Sequence, residues 1–308
     1  MRDNEPVTSA TRQPEPPASS QLTTSRARGG APAVPPRLIA TDLDGTLLHD
    51  DKSVSARTVA ALAAAEEAGI EVFFVTGRPA RWMDVVSDHV HGHGLAICGN
   101  GAAVVDLHGG PGAHRFVKVR DLALENALDT VRLLREAAPG TAYAIEQTYG
   151  FHQEPDYPKL LMEAPDTLAP VEDLLAPGGA AAGQPILKIL AAHPTMEPDG
   201  FLTLARLAVA ERATITRSSP SALLEISGPG VSKASTLALA CAERGISREE
   251  VVAFGDMPND IEMLTWAGRS YAMGNAHPDA VAAATGRTAA NNEDGVALVI
   301  ERILEQRR

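Results

Sequence analysis

The sequence predicts an α/β fold: a Rossmann-like, doubly wound parallel sheet core interrupted by an inserted α+β cap domain. Three observations predict it. Short, nearly continuous apolar runs such as Leu38–Thr41, Ile70–Val75 and Val251–Phe254 read as strands covered on both faces, and each leads into a polar turn. Helical periodicity alternates with these strands at both ends of the chain, as parallel pairing requires. Between about residues 103 and 227 the alternation gives way to short strands, helices and loops rich in Pro and Gly, the pattern of an insertion. The expected division is 1–36 tail, 37–102 and 228–308 core, and 103–227 cap.

Composition narrows the function classes. The 308 residues are 44% hydrophobic but only 4% aromatic, so the core is built from Ala, Val, Leu and Ile. A formal charge of -12 argues against nucleic acid or an anionic membrane as partner, since both are held by clustered Lys and Arg. The two cysteines, Cys98 and Cys241, lie in apolar and helical patterns, which disfavours a disulfide framework or a Cys-based zinc site. No run approaches the roughly 18 apolar residues of a membrane span. A cytoplasmic protein with reduced thiols is expected. Residues 1–36, rich in Pro, Ser, Thr and Arg, cannot bury enough apolar surface to order themselves and read as a disordered tail. Asp3, Glu5 and Glu15 run against an organellar transit peptide.

The first strand, Leu38–Thr41, runs into Asp42-Leu43-Asp44-Gly45-Thr46. Two carboxylates about 4 Å apart repel by about 4 kcal/mol at an effective dielectric near 20, so one is protonated or a cation stands between them. Asp-Gly between apolar runs also fits a hairpin turn, whereas an EF-hand loop fits poorly because Thr46 replaces an oxygen ligand and no Glu closes the loop. Ser53 or Ser55 caps a helix through Val59, Leu62 and Ala65, which Gly69 stops. The strand Ile70–Val75 ends in Thr76-Gly77-Arg78-Pro79, where Pro79 suits a helix first turn whose free N–H groups would face the same edge. Thr76 could equally be only a helix cap.

Leu95–Cys98 is a third short strand leading to Gly99-Asn100-Gly101-Ala102. His89, His91 and His93 precede it without the spacing of a helical metal-binding pair and read as loop histidines. A hairpin at 103–117, a helix from Leu122 to Ala137, strands at Ala142–Glu146 and Ile186–Ala191, a helix near Phe201–Glu211 and strands at Ala213–Thr216 and Leu223–Ser227 fill the cap. After Gly228-Pro229-Gly230 the βα rhythm returns with a helix from Ser232-Lys233 to Arg244. The strand Val251–Phe254 then ends in Gly255-Asp256-Met257-Pro258-Asn259-Asp260. Asp256 stands at the strand end, with Asn259 and Asp260 on the first turn of a helix beginning near Pro258, where they could merely complement its dipole. A strand at Ser270–Met273, a short helix and a final helix at Gly295–Ile303 complete the core.

Asp42, Asp44, Thr76, Lys233, Asp256, Asn259 and Asp260 would thus share one sheet edge. Several carboxylates with one hydroxyl and one ammonium call for a hard divalent cation, and Mg2+ prefers such oxygen donors. A phosphate fits the remaining space, provided its negative charge is neutralised before a carboxylate attacks.

The ordered set of Asp42-Leu43-Asp44-Gly45-Thr46, Thr76-Gly77-Arg78, Lys233 in Gly-Val-Ser-Lys and Gly255 to Asp260 resembles the haloacid dehalogenase superfamily. With Asn100-Gly101-Ala102 and Met273-Gly274-Asn275-Ala276, it is similar to the Cof-type phosphatases with a large cap, type IIB. The resemblance spans Leu38 to Ile303 and implies an Mg2+-dependent phosphatase acting on a small phosphorylated metabolite, a sugar phosphate or cofactor precursor. It implies that Asp42 attacks phosphorus to form an aspartyl-phosphate, and that Asp44 protonates the leaving alcohol and then activates water. Asp42, the Asp44 carbonyl and Asp256 would hold Mg2+. Thr76, Gly77, Lys233 and Asn259 would bind the phosphoryl group, with Asn259 and Asp260 orienting Lys233 or the metal's water, and Asn100 and Arg78 in support. Lys188, inside an apolar run of the cap, competes with Lys233 for the cationic role and could contact substrate. A phosphomutase or phosphotransferase, or a non-catalytic phosphometabolite-binding module, fits the same scaffold, although a binder does not need both Asp42 and Asp44. A cap hinge is expected near Ala102 and Gly228.

Overall fold

The computed structural model describes residues 34–87, 94–110, 112–158 and 164–307. The expected tail up to residue 33 lies outside the described residues, as do His89, His91 and His93.

The chain opens with β1 (Leu38–Thr41), α1 (Ala56–Glu67), β2 (Glu71–Val75), α2 (Asp84–Ser87), β3 (Leu95–Cys98), β4 (Ala103–Asp106) and β5 (Arg115–Val119). It continues through α3 (Leu124–Ala137), β6 (Ala142–Gln147), β7 (Gly150–Gln153), β8 (Thr167–Leu168), α4 (Val171–Leu175) and β9 (Ile186–Ala192). Then come α5 (Pro198–Val209), β10 (Thr214–Thr216), β11 (Leu223–Ser227) and α6 (Lys233–Glu243). The last elements are β12 (Val251–Gly255), α7 (Ile261–Trp266), β13 (Arg269–Ala272), α8 (Pro278–Ala283), β14 (Gly286–Arg287) and α9 (Gly295–Glu305).

Two sheets organise these elements. The first runs β14-β13-β12-β1-β2-β3-β4-β5, parallel from β14 to β3. Alternation along β1 feeds two cores. Ile39 faces Leu62 and Ala65 of α1 and Ile300 and Ile303 of α9, whereas Leu38 and Ala40 face Leu237 and Cys241 of α6 and Leu264 of α7. The second sheet runs β10-β11-β9-β6-β7-β8, antiparallel except where β8 joins β7. Its Tyr143, Ile145 and Ile189 pack on Val131 and Leu134 of α3 and Phe201 of α5.

The structure moves one expected boundary. The hairpin at 103–119, expected in the cap, extends the first sheet, because the turn Gly99–Gly101 reverses the chain and pairs Cys98 with Ala103. The chain therefore crosses to the second sheet at 120–123 rather than at Ala102, which is buried, and returns at Gly228. A side chain at Gly228 would stand 2.6 Å from the Asp121 carbonyl, so the two crossings lie against each other.

Two helix starts also differ. Pro79 precedes only a single 3-10 turn, Ala80–Trp82, and Pro258 opens another, Pro258–Asp260, before α7. Among the described residues, the segment after Thr76 therefore begins with the single turn Ala80–Trp82 rather than with a long helix. Strands β7, β8 and β14 are not foreseen, since sequences such as Gly150-Phe151-His152-Gln153 lack apolar alternation.

Gly101 locks α6 onto the first sheet. It has φ +103, a Cβ there would lie 2.2 Å from the Ser232 carbonyl, and its own carbonyl accepts the Thr236 hydroxyl at 2.8 Å. Gly101→Ala should lower stability by about 2 kcal/mol or more in urea unfolding, and an unchanged midpoint would contradict this packing.

Candidate active site

Parallel pairing of β1 with both β12 and β2 sets Thr41 opposite Phe254 and Phe74, so the residues that follow these strands leave the sheet together. Asp42, Asp256 and Thr76 emerge at this edge. The Asp42 N–H donates to the Phe254 carbonyl at 3.1 Å. Gly45, at φ +74, lets the next turn approach: a Cβ there would stand 2.4 Å from Asp256 Oδ2. Thr46 Oγ1 donates to Asp256 Oδ1 at 2.8 Å.

Lys233 opens α6 after its cap Ser232 and is fully buried. Its Nζ lies 2.7 Å from Asp42 Oδ1 and 2.8 Å from Asp260 Oδ1. The other Asp260 oxygen accepts the Asp256 and Met257 N–H groups at 3.0 Å each, which fixes the turn. Asp42, Asp256 and Asp260 each present an oxygen within 4.8 Å of the others.

Three carboxylates around one ammonium leave excess negative charge. Burial pushes the Asp42 pKa well above its ordinary value; Lys233 opposes the rise, and the charges of Asp260 and Asp256 add to it. Burial and then the Asp260 charge raise Asp256 to about 7 against the Thr46 hydrogen bond and Lys233. Burial works against the Lys233 charge, but Asp260 and Asp42 outweigh it and raise that pKa. Hard oxygen donors that resist ionisation when no further cation is present are a donor set that fits Mg2+.

Asp44 stands apart from this cluster. Arg78 grips its carboxylate with Nε to Oδ2 at 2.6 Å and Nη2 to Oδ1 at 2.7 Å, and Lys52 Nζ adds a contact at 2.9 Å. Burial alone would raise its pKa, but Arg78 and then Lys52 outweigh burial and hold it at about 2. The charge conflict expected between Asp42 and Asp44 is thus resolved by a separate cation for each.

Thr76 is buried, and its Oγ1 accepts the Arg78 N–H at 3.1 Å. The Gly77 carbonyl accepts Lys188 Nζ at 2.7 Å. Asn259 Nδ2 donates to Asn100 Oδ1 at 3.0 Å rather than meeting Lys233, so Asp260 makes the contact with Lys233 that was expected of both. Asp42, Thr76 and Asn259 on one side and Glu146, Tyr157 and Lys188 of the inserted unit on the other bound a cavity of about 320 Å³.

Glu225 is the residue that sequence reasoning misses. Its neighbours Leu224 and Ile226 face the helices of the inserted unit, so alternation turns Glu225 to the opposite face, and Lys188 breaks the apolar run of β9 in the same way. A charge inside each of two apolar strands was the available signal.

The family description "haloacid dehalogenase-like hydrolase" matches residues 39–300. The chain belongs to that family. The relative YitU of Bacillus subtilis (strain 168), a 5-amino-6-(5-phospho-D-ribitylamino)uracil phosphatase, is 29% identical over 269 residues, covering 85% of this chain and 95% of YitU. Among solved structures, SMU.1108c of Streptococcus mutans UA159 matches with a TM-score of 0.74 at 23% identity, covering 88% of this chain and 99% of that one. The sugar phosphatase BT4131, of subclass IIB in the family, matches at 0.71 and 20% identity, covering 86% and 98%. The fold and the haloacid dehalogenase-like family implied by the motifs therefore hold, and among the described residues no helix is long and apolar enough to cross a membrane.

Lys233→Met removes the cation buried between Asp42 and Asp260. The variant should lose about 3–5 kcal/mol at pH 8 and less at pH 5, where more of the unpaired carboxylates are protonated. Urea titrations at the two pH values check this, and equal losses would contradict the charge pairing.

Proposed function

We propose that this enzyme is an Mg2+-dependent phosphatase that hydrolyses a small phosphorylated metabolite, a sugar phosphate or cofactor precursor, through an aspartyl-phosphate on Asp42. The observation that carries the reading is the placement of Asp42 at the cavity. Lys233 engages its Oδ1, and among the described residues its Oδ2 has no hydrogen bond and is free to act as nucleophile.

Asp42 Oδ2 attacks phosphorus, the ester P–O bond breaks, and the leaving alcohol takes a proton from Asp44. Water then attacks the aspartyl-phosphate, gives its proton to Asp44, and inorganic phosphate leaves with Asp42 restored. Lys233 and the Thr76 hydroxyl, with the Gly77 and Asn259 groups beside them, bind the phosphoryl oxygens. Asp44 is ionised while Arg78 and Lys52 hold it, so parting from them is a requirement of its acid role. Asp42, Asp256 and the Asp44 carbonyl would hold Mg2+, with Asp260 in the same cluster, and there the ion supplies charge neutralisation for an anionic phosphoryl group. A cavity of about 320 Å³ suits a small leaving group, in keeping with the phosphorylated ribityl compound of YitU and the sugar phosphates named for BT4131.

Phosphate release from a panel of phosphorylated sugars and cofactor precursors should depend on Mg2+, stop with excess chelator, and fall roughly 10³-fold or more in Asp42→Asn. Full turnover by that variant would sink the proposed nucleophile. The pH behaviour follows from Asp256. Its pKa of about 7 lies above the unfolded value, so the chain without metal loses stability as pH rises from about 4 towards 7. Mg2+ binds the ionised form and should raise the melting temperature more at pH 8 than at pH 5.5. Equal shifts at both pH values would contradict this.

A further inference from the structure

Glu225 lies mid-strand in β11, only 4% exposed, and its carboxylate is filled from inside the protein. Oε2 accepts Lys188 Nζ at 3.1 Å and also the Asn100 amide, while Oε1 accepts the Ser218 hydroxyl. Burial opposes its charge, but Lys188 and Ser218 outweigh burial and lower its pKa.

Two paths lead from this carboxylate to the edge that holds Asp42. One passes through Asn100, whose Oδ1 accepts Asn259 Nδ2 at 3.0 Å. The other passes through Lys188, whose Nζ donates to the Gly77 carbonyl at 2.7 Å, next to Thr76. Gly77 leaves no gap between them, since a Cβ there would stand 3.2 Å from both Asn100 Oδ1 and Glu225 Oε2. Asn100 itself sits at φ +56, so its amide is presented from a left-handed turn and needs a partner to fix it. A buried ion pair is a poor stabiliser relative to apolar packing, so the Lys188–Glu225 pair calls for another reason to be there. A carboxylate accepts about four hydrogen bonds, and three are already taken, which leaves Glu225 little capacity to read a leaving group directly.

We propose that Glu225 is a positioning residue, which from the inserted unit fixes the Asn100 amide and, through Lys188, the Gly77 carbonyl, so that the phosphoryl-binding edge is held in working geometry. The inference rests on the phosphatase reading and extends it to a residue outside the motifs. Its consequence is a loss that is independent of the leaving group, because every substrate's transferring phosphoryl group, in an ester or an acyl phosphate, meets that edge.

The test is steady-state kinetics on the full chain with acetyl phosphate and glucose 6-phosphate, for Glu225→Gln, Asn100→Gly and the double variant. Gly accepts the backbone conformation at position 100, so Asn100→Gly leaves the buried ion pair intact and keeps the test valid should Glu225→Gln fold poorly. The expected result is a fall in kcat of about 10–100-fold, by the same factor for both substrates, with KM little changed. The double variant should be no worse than the worse single one, as groups on one path are not additive. A loss confined to glucose 6-phosphate would overturn the proposal, since Glu225 would then read the leaving group; so would additive losses, or an unchanged kcat in both single variants. Tungstate affinity, measured by calorimetry with Mg2+ present, separates this inference from the reading beneath it. Tungstate binding weakened by both variants in a chain that releases no phosphate would sink the hydrolysis reading and uphold the positioning role.

Discussion

The Lys233 ammonium, buried between Asp42 and Asp260, is the interaction on which the rest of the site depends. At an effective dielectric near 20, opposite unit charges about 4 Å apart attract by about 4 kcal/mol, and like charges repel by as much. One ammonium cannot satisfy three carboxylates, so the cluster is held together while remaining short of positive charge. In the proposed function, that shortage is what would draw a hard cation to the edge and, once the charge is balanced, a phosphoryl group. A neutral residue at 233 would leave these buried acids without their cation.

The parallel sheet is what brings these charges together. Asp42 and Lys233 are 191 residues apart, and Lys233 and Asp260 are 27 apart, yet adjacent parallel strands end at one edge and α6 packs across them. Helices on both faces exclude water from the strands, and the close turns at Gly45 and Gly101 let backbone approach where any side chain would collide. The antiparallel second sheet contributes differently. It presents a strand face, and on that face the charged Lys188 and Glu225 replace apolar residues and meet the turns of the first sheet.

Much of the site was legible because its residues follow strand ends, where a buried apolar run changes abruptly to acids and glycine. Asp42, Thr76 and Asp256 were readable in this way, and Lys233 from its place at the start of a helix. The pairing of partners was not readable. Whether Asp260 or Asn259 meets Lys233 depends on a single 3-10 turn, and whether Arg78 grips Asp44 depends on how two loops pack. The hairpin at 103–119 was expected in the cap, yet it extends the first sheet, because hydrophobic alternation identifies strands without saying which neighbour they pair with. Glu225 was missed for the same reason: its partner Asn100 is 125 residues away, and only the register of β11 against β9 turns it towards that turn.

The charge states of Asp42 and Asp44 run opposite to the roles proposed for them. A nucleophile must be ionised and an acid protonated, yet burial raises Asp42 while Arg78 and Lys52 hold Asp44 at about 2. Environments that push two nearby carboxylates apart are how one fold separates acid from nucleophile, and here the separation is inverted. Two changes reverse it. Positive charge placed among Asp42, Asp256 and Asp260 favours the ionised form of Asp42, and an anion that draws Arg78 away removes the main group stabilising ionised Asp44. Substrate phosphate is such an anion, since a guanidinium binds phosphate with the same paired geometry that it uses for carboxylate. The arrangement is therefore a resting state in which each acid holds the charge opposite to its proposed role, and the two ligands of the proposed reaction drive both in the required direction.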